Sequence, residues 1–253
     1  MASQKQIKQI LTKEYKQREA QIAGALKSIE VFISSRITDI IDDIDPTDPN
    51  ALARLGSLIT EIKQSGLSDE LANITRLYGK EIKRAVREFK TFGIEANLAI
   101  NRDTIEALIN FKTQQIENKI VDSLGNVKPL VAQSIITGVV PDKEDIKRVA
   151  GGFAHNVETE LNTGLKGFSR TVTKATADRL GLDKFLYIGP DDDITRKFCK
   201  RVLNGRNPPV YTEDEILMMD NEQGLDVFQF GGGYNCRHDW RPVSNEFAAE
   251  LTE

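Results

Sequence analysis

Apolar residues recur at helical spacing along the first forty or so residues of the chain. They follow one another in steps of three, four or seven, at Ile7, Leu11, Tyr15, Ile22, Leu26, Ile29, Ile33, Ile37 and Ile40. The only gap in this stripe is Arg18, whose methylene stem can cover apolar surface. Asp45-Pro46 marks the end, because proline cannot continue a helix. The spacing therefore predicts one long amphipathic helix.

The same spacing continues to about residue 180. Helices are predicted over about residues 51–63, 68–92 and 103–124, and a short apolar helix after the break at Gly125-Asn126. The last stripe ends near Arg179 and consists of Ile146, Phe153, Val157, Leu161, Leu165, Phe168 and Val172. The first two thirds of the chain should therefore be almost wholly helical.

The pattern changes near Gly181. Phe185-Leu186-Tyr187-Ile188 is a β-prone run that ends at a Gly-Pro pair, and it predicts one strand. After this strand we expect a helix capped by Asp193, and then a short helix that begins with a capping box at Thr212 and Glu215. The predicted fold is mainly α, with long amphipathic helices followed by a small α+β C-terminal module. We assign residues 1–181 to a helical region for assembly and partner binding, and residues 182–253 to the module.

Composition narrows the class of protein. The 253 residues suffice for one large domain or two modest ones, and the aromatic content of 7% is ordinary for a helix-rich protein. The amino-terminal segment is too polar for a signal peptide, and no run of about 18 uncharged apolar residues occurs, so we expect no membrane anchor. Two cysteines exclude a disulfide framework and a four-thiolate zinc site.

Both cysteines lie in the C-terminal module, in two clusters of polar residues. Cys236 and His238 are two residues apart and would share one face of an extended segment, which Cys199 could meet in space. With an oxygen from Asp193 or Asp192, these residues would form a chemically reasonable zinc site. Two other interpretations stay open: buried thiols in an apolar core, or one disulfide between the cysteines.

Templates for catalysis are missing from the sequence. The chain has no His-x-Glu with Pro-Cys-x-x-Cys, which a zinc deaminase needs, and no His-Glu-x-x-His. The glycines at 231–233 are followed by no Lys-Ser or Lys-Thr, as a phosphate-binding loop requires. We therefore expect a protein that is not an enzyme and needs no cofactor, with zinc as the one alternative.

One predicted helix is strongly basic. Six cations and two acids occupy residues 76–90 of a chain whose net charge is −4. Helical spacing places most of the cations on one face, at Arg76, Lys80, Lys83, Arg84 and Arg87. Such a face could follow the phosphates of double-stranded DNA, although basic helix faces are more commonly just solvated.

The two C-terminal clusters together resemble the phage Mu F-like head morphogenesis family, the minor head proteins of tailed phages. The first cluster has the form Asp-x-x-Thr-Arg-x-x-Cys, filled by Asp192, Thr195, Arg196 and Cys199. The second is Asn-Cys-Arg-His, filled by Asn235, Cys236, Arg237 and His238, where many relatives have a second cysteine in the last position. The form GGGYNCRHDW is similar to a subgroup of these proteins, and the resemblance covers about 60 residues, from Phe185 to Val243.

This resemblance implies a minor component of the phage head, made in the host cytoplasm and located in the virion. Its implied partners are the portal protein and other head proteins, through which it would join an oligomer. It would be packaged in few copies and assist genome packaging or delivery. We keep two alternatives: a DNA-binding protein that acts through the helix at residues 76–90, and a metal-dependent hydrolase.

Overall fold

The computed structural model describes residues 4–43, 45, 48, 50–92, 94, 102–139, 141 and 143–251. Six α-helices lie in the described part of the chain up to Arg179. They are α1 (Gln4–Asp42), α2 (Arg54–Ile62), α3 (Ser68–Thr91), α4 (Arg102–Leu124), α5 (Lys128–Thr137) and α6 (Lys143–Arg179). A π-helical turn joins α2 to α3, and Gly66 within it has a φ of 120°, a value that favours glycine.

The C-terminal module consists of short elements. They are β1 (Lys184–Ile188), α7 (Lys197–Asn204), β2 (Val210–Thr212), α8 (Glu213–Leu217), α9 (Val227–Phe230), β3 (Asp239–Val243) and α10 (Asn245–Glu250). Long helices followed by a small module of strands and short helices confirm the predicted fold class. No helix in the described ranges has both the length and the apolar character needed to span a bilayer.

The stripe of α1 is buried largely as predicted. Ile29, Ile33 and Ile37 are fully buried, and the next buried position is Ile41 rather than Ile40. The side chains of Ile7 and Leu11 lie outside the described part of the chain. The interpretation of Arg18 was wrong, because this residue is a buried charge rather than a stem that covers an apolar stripe.

Three strands form one antiparallel sheet in the order β2-β1-β3. Phe185 lies opposite Tyr211 on β2, and Tyr187 lies opposite Trp240 on β3. Side chains alternate along β1, so Phe185 and Tyr187 pack into one hydrophobic cluster and Leu186 into another. Only β1 was predicted from the sequence, because β2 is short and β3 carries charged residues.

The chain divides into two compact units. One unit comprises Met1–Glu19, Leu77–Ile109 and Asn162–Glu253, and the other comprises Ala20–Arg76 and Asn110–Leu161. These boundaries differ from the division at residue 181, because the unit with the C-terminal module also contains parts of α1, α3 and α6. We call the unit that contains the C-terminal module the first unit, and the other one the second unit. In the second unit, the described core is formed by helices alone.

Two predicted helix starts have different outcomes. The capping box is confirmed, since the Thr212 hydroxyl accepts from the backbone N–H of Glu215 and the Glu215 side chain accepts from the backbone N–H of Thr212. The cap at Asp193 was wrong, because α7 begins at Lys197 and Arg196 occupies the N-cap position. Asp193 is an exposed residue of the preceding turn.

Candidate functional site

The two sequence clusters meet in the first unit. The Arg237 guanidinium donates one hydrogen bond of 2.7 Å to Asp192 Oδ2 and a second one to Asp192 Oδ1. The Thr195 hydroxyl lies 2.8 Å from the same carboxylate and 3.0 Å from the backbone N–H of Asp192. Hydrogen bonds from Arg237 hold the pKa of Asp192 well below its ordinary range. We call this arrangement the motif junction.

Arg196 and Asn235 support the motif junction through backbone contacts. The Arg196 guanidinium donates to the carbonyl of Gly232 at 2.9 Å, which connects the start of α7 to the glycine run. Asn235 has a φ of 55°, in the left-handed region that asparagine tolerates better than most residues. Its backbone N–H donates to the Thr163 hydroxyl on α6 at 3.1 Å. These contacts fix the turn that leads to Cys236.

Cys199, Cys236 and His238 come together next to the junction, and we call them the thiol–imidazole cluster. The two Sγ atoms are 3.8 Å apart, and Cys236 Sγ is 4.0 Å from His238 Nδ1. One ligand atom from each residue lies within 4.8 Å of the other two, and all three residues are buried. Both cysteines are free thiols, since a disulfide would require the sulfurs at about 2.05 Å.

Neighbouring groups tightly enclose the cluster. The Tyr187 hydroxyl donates to Cys199 Sγ at 3.3 Å, and its ring stacks on the imidazole with centroids 5.2 Å apart. The backbone N–H of Gly232 donates to Cys236 Sγ at 3.2 Å. A Cβ atom on Gly232 would overlap Cys199 Sγ, so this position requires glycine.

The two thiols change each other's acidity. Their contact lowers the pKa of Cys236 and raises the pKa of Cys199, because a hydrogen bond from the Cys199 S–H would favour the thiolate form of Cys236. Asp193, predicted as a fourth ligand, is exposed and does not belong to the cluster. The structure therefore corrects the predicted four-residue set to two sulfurs and one imidazole.

A buried network of charged side chains, which the sequence analysis missed, lies elsewhere in the first unit. It connects α1, α3, α6 and β3, and every member has less than a tenth of its surface exposed. We call it the buried ion network; its members are Arg18, Glu81, Arg84, Glu88, Lys166, Arg170, Asp239 and Arg241. The one available signal was the gap at Arg18 in an otherwise apolar stripe.

The network has three acidic centres of contact. Glu81 pairs with both Arg18 and Arg84. Glu88 lies 2.7 Å from Arg241 Nε and 3.4 Å from Arg84 Nε. Asp239 lies 2.8 Å from Lys166 Nζ and 3.2 Å from an Arg241 nitrogen. Burial alone would raise the pKa of Asp239, but the charges of Lys166, Arg241 and other cations hold it well below its ordinary range. The Asp239 carboxylate therefore remains ionised among the cations.

A cavity of about 430 Å³ opens onto part of this network. Its charged lining includes Glu14 and Lys166, and its apolar lining includes Ile188 and Pro209. Burial, together with the positive charge of Arg18, lowers the pKa of Lys166 to about 7. Burial also raises the pKa of Glu14. The cavity thus offers a carboxyl group with a raised pKa and a weakly basic amine to a bound molecule.

The basic face predicted on α3 is only partly exposed. Lys80, Lys83 and Arg87 are exposed, and Arg87 lies 3.7 Å from Glu14. Arg76 is also exposed and donates to the Asn73 side chain. Arg84 was predicted as a phosphate contact, and this was wrong, because its guanidinium is buried between Glu81 and Glu88.

No model of a known protein family matches the chain, and no curated protein or solved structure matches it either.

Proposed function

We propose that this chain is a minor head protein of a tailed phage, which associates with the portal protein and assists genome packaging or delivery. The proposal rests on the resemblance of two sequence clusters to one family. The observation that carries it is the motif junction, in which Asp192 and Thr195 of the first cluster bind Arg237 of the second. Two weak sequence signals thereby become one structural feature.

The contacts of the motif residues in the junction also favour a structural protein over an enzyme. Both carboxylate oxygens of Asp192 accept hydrogen bonds from Arg237, and Thr195 also donates to this carboxylate. Arg196 donates to a backbone carbonyl. A catalytic acid, base or nucleophile needs a geometry in which it can reach a substrate atom. These side chains instead bind one another and hold two loops together. We therefore propose that the module presents a fixed surface to its partners in the head.

The decisive experiment is co-purification from procapsids. In a phage that encodes this chain, the wild-type protein should be recovered with the portal protein. Arg237→Ala breaks the motif junction and should lower the recovered amount several-fold. Arg206→Ala is the matched control, because Arg206 also forms a bidentate pair with an acid of the module, Glu215, outside both clusters.

Two results would overturn the proposal. One is recovery of the wild-type chain with host enzymes and never with phage particles. The other is an equal loss of recovery in both arginine variants, which would show that the junction has no special importance. A gene for a portal protein beside the gene for this chain would be independent support.

A second candidate function is binding of double-stranded DNA during packaging or delivery. The observation in its favour is that Lys80 and Lys83 on α3 are exposed. Each lost phosphate contact lowers the slope of log affinity against log salt by about 0.9. A salt-dependent gel shift should therefore give a slope smaller by about 2 for the Lys80→Ala/Lys83→Ala double variant. An unchanged slope would exclude this face as the DNA contact.

A further inference from the structure

We infer that the thiol–imidazole cluster is a zinc site with the ligands Cys199, Cys236 and His238. Neither head assembly nor DNA binding requires such a site, so the inference stands independently of the proposed function. It differs from the zinc site that the sequence left open as one of three interpretations, because it includes no carboxylate.

The distances within the cluster are close to those of a zinc centre. Tetrahedral zinc with Zn–S bonds of about 2.3 Å holds two sulfurs about 3.8 Å apart. The Sγ atoms of Cys199 and Cys236 are 3.8 Å apart. With Zn–N bonds of about 2.0–2.1 Å, the distance from sulfur to nitrogen is about 3.6 Å. The observed distance from Cys236 Sγ to His238 Nδ1 is 4.0 Å. Small side-chain rotations would therefore complete the coordination.

The surroundings have the properties of a second coordination shell. Each sulfur accepts one hydrogen bond from outside the cluster, Cys199 from the Tyr187 hydroxyl and Cys236 from the backbone N–H of Gly232. Such donors stabilise thiolates and orient them toward a metal. The Arg170 guanidinium donates to the carbonyls of both Cys236 and His238. One buried cation therefore fixes the backbone of two ligands and offsets the negative charge of the thiolates.

The imidazole is buried with one ring nitrogen toward the thiols. His238 is 2% exposed, and Nδ1 is the ring nitrogen that lies 4.0 Å from Cys236 Sγ. Zn²⁺ would therefore bind at Nδ1, and the ring proton would be on Nε2, which has no hydrogen-bond partner among the described residues.

The chemistry of binding is balanced without an oxidant or reductant. Zn²⁺ replaces the protons of the two thiols, and these protons pass to the solvent. The product has two thiolates and one imidazole on the ion. Three protein ligands leave one coordination position for water or another ligand, as in zinc sites of the Cys2His type.

The test uses the full-length chain, reduced, stripped of metal with a chelator and then given Zn²⁺ alone. The wild-type chain should bind one zinc per molecule, measured by elemental analysis, and its Tm should rise. With Co²⁺ as the probe, the optical spectrum should contain thiolate-to-metal charge-transfer bands. Cys199→Ser and His238→Gln should each weaken zinc binding by at least about 100-fold.

Two further variants keep the test decisive if a ligand variant does not fold. Tyr187→Phe keeps the ring and removes only the hydroxyl that donates to Cys199, so affinity should fall by about 10-fold in a folded protein. His155→Gln changes the other histidine of the chain and should leave binding unchanged.

Three results would overturn the inference. The first is two free thiols in the denatured, non-reduced chain together with no bound zinc and no rise in Tm, which would leave only packed thiols. The second is the absence of free thiols before reduction, which would indicate a disulfide. The third is stoichiometric zinc that persists in Cys199→Ser and His238→Gln, which would place the metal elsewhere.

Discussion

Asp239→Asn should strongly destabilise the first unit. Asp239 is 6% exposed and lies 2.8 Å from Lys166, 3.2 Å from Arg241 and 3.3 Å from Arg170. Asparagine has nearly the same shape, so the change opens no cavity and removes only the charge. These three buried cations, and Arg18 at 4.0 Å, then lose their shared anion. Breaking a buried ion pair in this way costs about 3–5 kcal/mol. At about 2–4 °C per kcal/mol, Tm should fall by about 6–20 °C.

Trp240 provides the assay, since it is the only tryptophan of the chain and is buried beside Asp239 on β3. Thermal unfolding followed by its fluorescence reports on the first unit. Asp178→Asn is the matched control, because Asp178 is exposed and pairs with Lys174 one helical turn away. That change should cost no more than about 0.5 kcal/mol. A loss below about 1 kcal/mol in Asp239→Asn would refute the reasoning, which requires a full buried-charge penalty.

A double variant separates the charge effect from general damage to β3. Lys166→Met removes one of the cations that Asp239 neutralises. Combined with Asp239→Asn, it should be less destabilising than the sum of the two single changes by about 0.5–3 kcal/mol. Strict additivity would mean that the two side chains do not interact in the folded protein.

Three other outcomes are expected. The pKa of Lys166 is about 7 in the folded chain and 10.5 ordinarily, so the unfolded chain binds more protons between these values. In urea unfolding, the wild type should therefore gain stability relative to Lys166→Met as pH rises from about 7 to 10.5. The same pH dependence of the free energy of unfolding in both proteins would contradict this. Gly232→Ala should lower the free energy of unfolding by about 1–3 kcal/mol, because the added Cβ would overlap a cysteine sulfur. Gly24→Ala is the control and should not destabilise the chain, because no atom lies within 4 Å of its added Cβ. Equal effects of the two changes in thermal unfolding would contradict the close fit at Gly232. Arg84→Ala should lower the free energy of unfolding by about 3 kcal/mol because it breaks buried ion pairs, and Lys83→Ala should change it little. If Arg84→Ala instead weakened the gel shift and left Tm unchanged, Arg84 would be a DNA contact after all.

The long helices and one strand could be predicted from the sequence because their signals are local. A stripe repeated every three or four residues fixes which face of α1 or α6 is buried, whatever that face contacts. α1 ends at Asp42, shortly before the Asp45-Pro46 pair from which its end was predicted. The pair of Thr212 and Glu215 begins α8, and both signals operate within a few residues. The proximity of Cys236 and His238 was expected for the same reason.

The rest depended on contacts between distant segments. Arg18 on α1 is paired with Glu81 on α3, a partner that the spacing along α1 cannot reveal. Arg84 is buried together with Glu81 and Glu88 of its own helix, although its spacing is that of a solvated basic face. Whether a charge is buried depends on an oppositely charged partner, and spacing along one helix carries no information about a partner elsewhere in the chain. Asp193 is the opposite case, a predicted ligand and helix cap that is exposed to solvent. Its position in the sequence suits both roles, but the turn that contains it precedes α7 and leaves its side chain in solvent. The sequence thus determined which segments are helical and which residues could bind a metal, and the tertiary structure decided which charges are paired and which ligands meet.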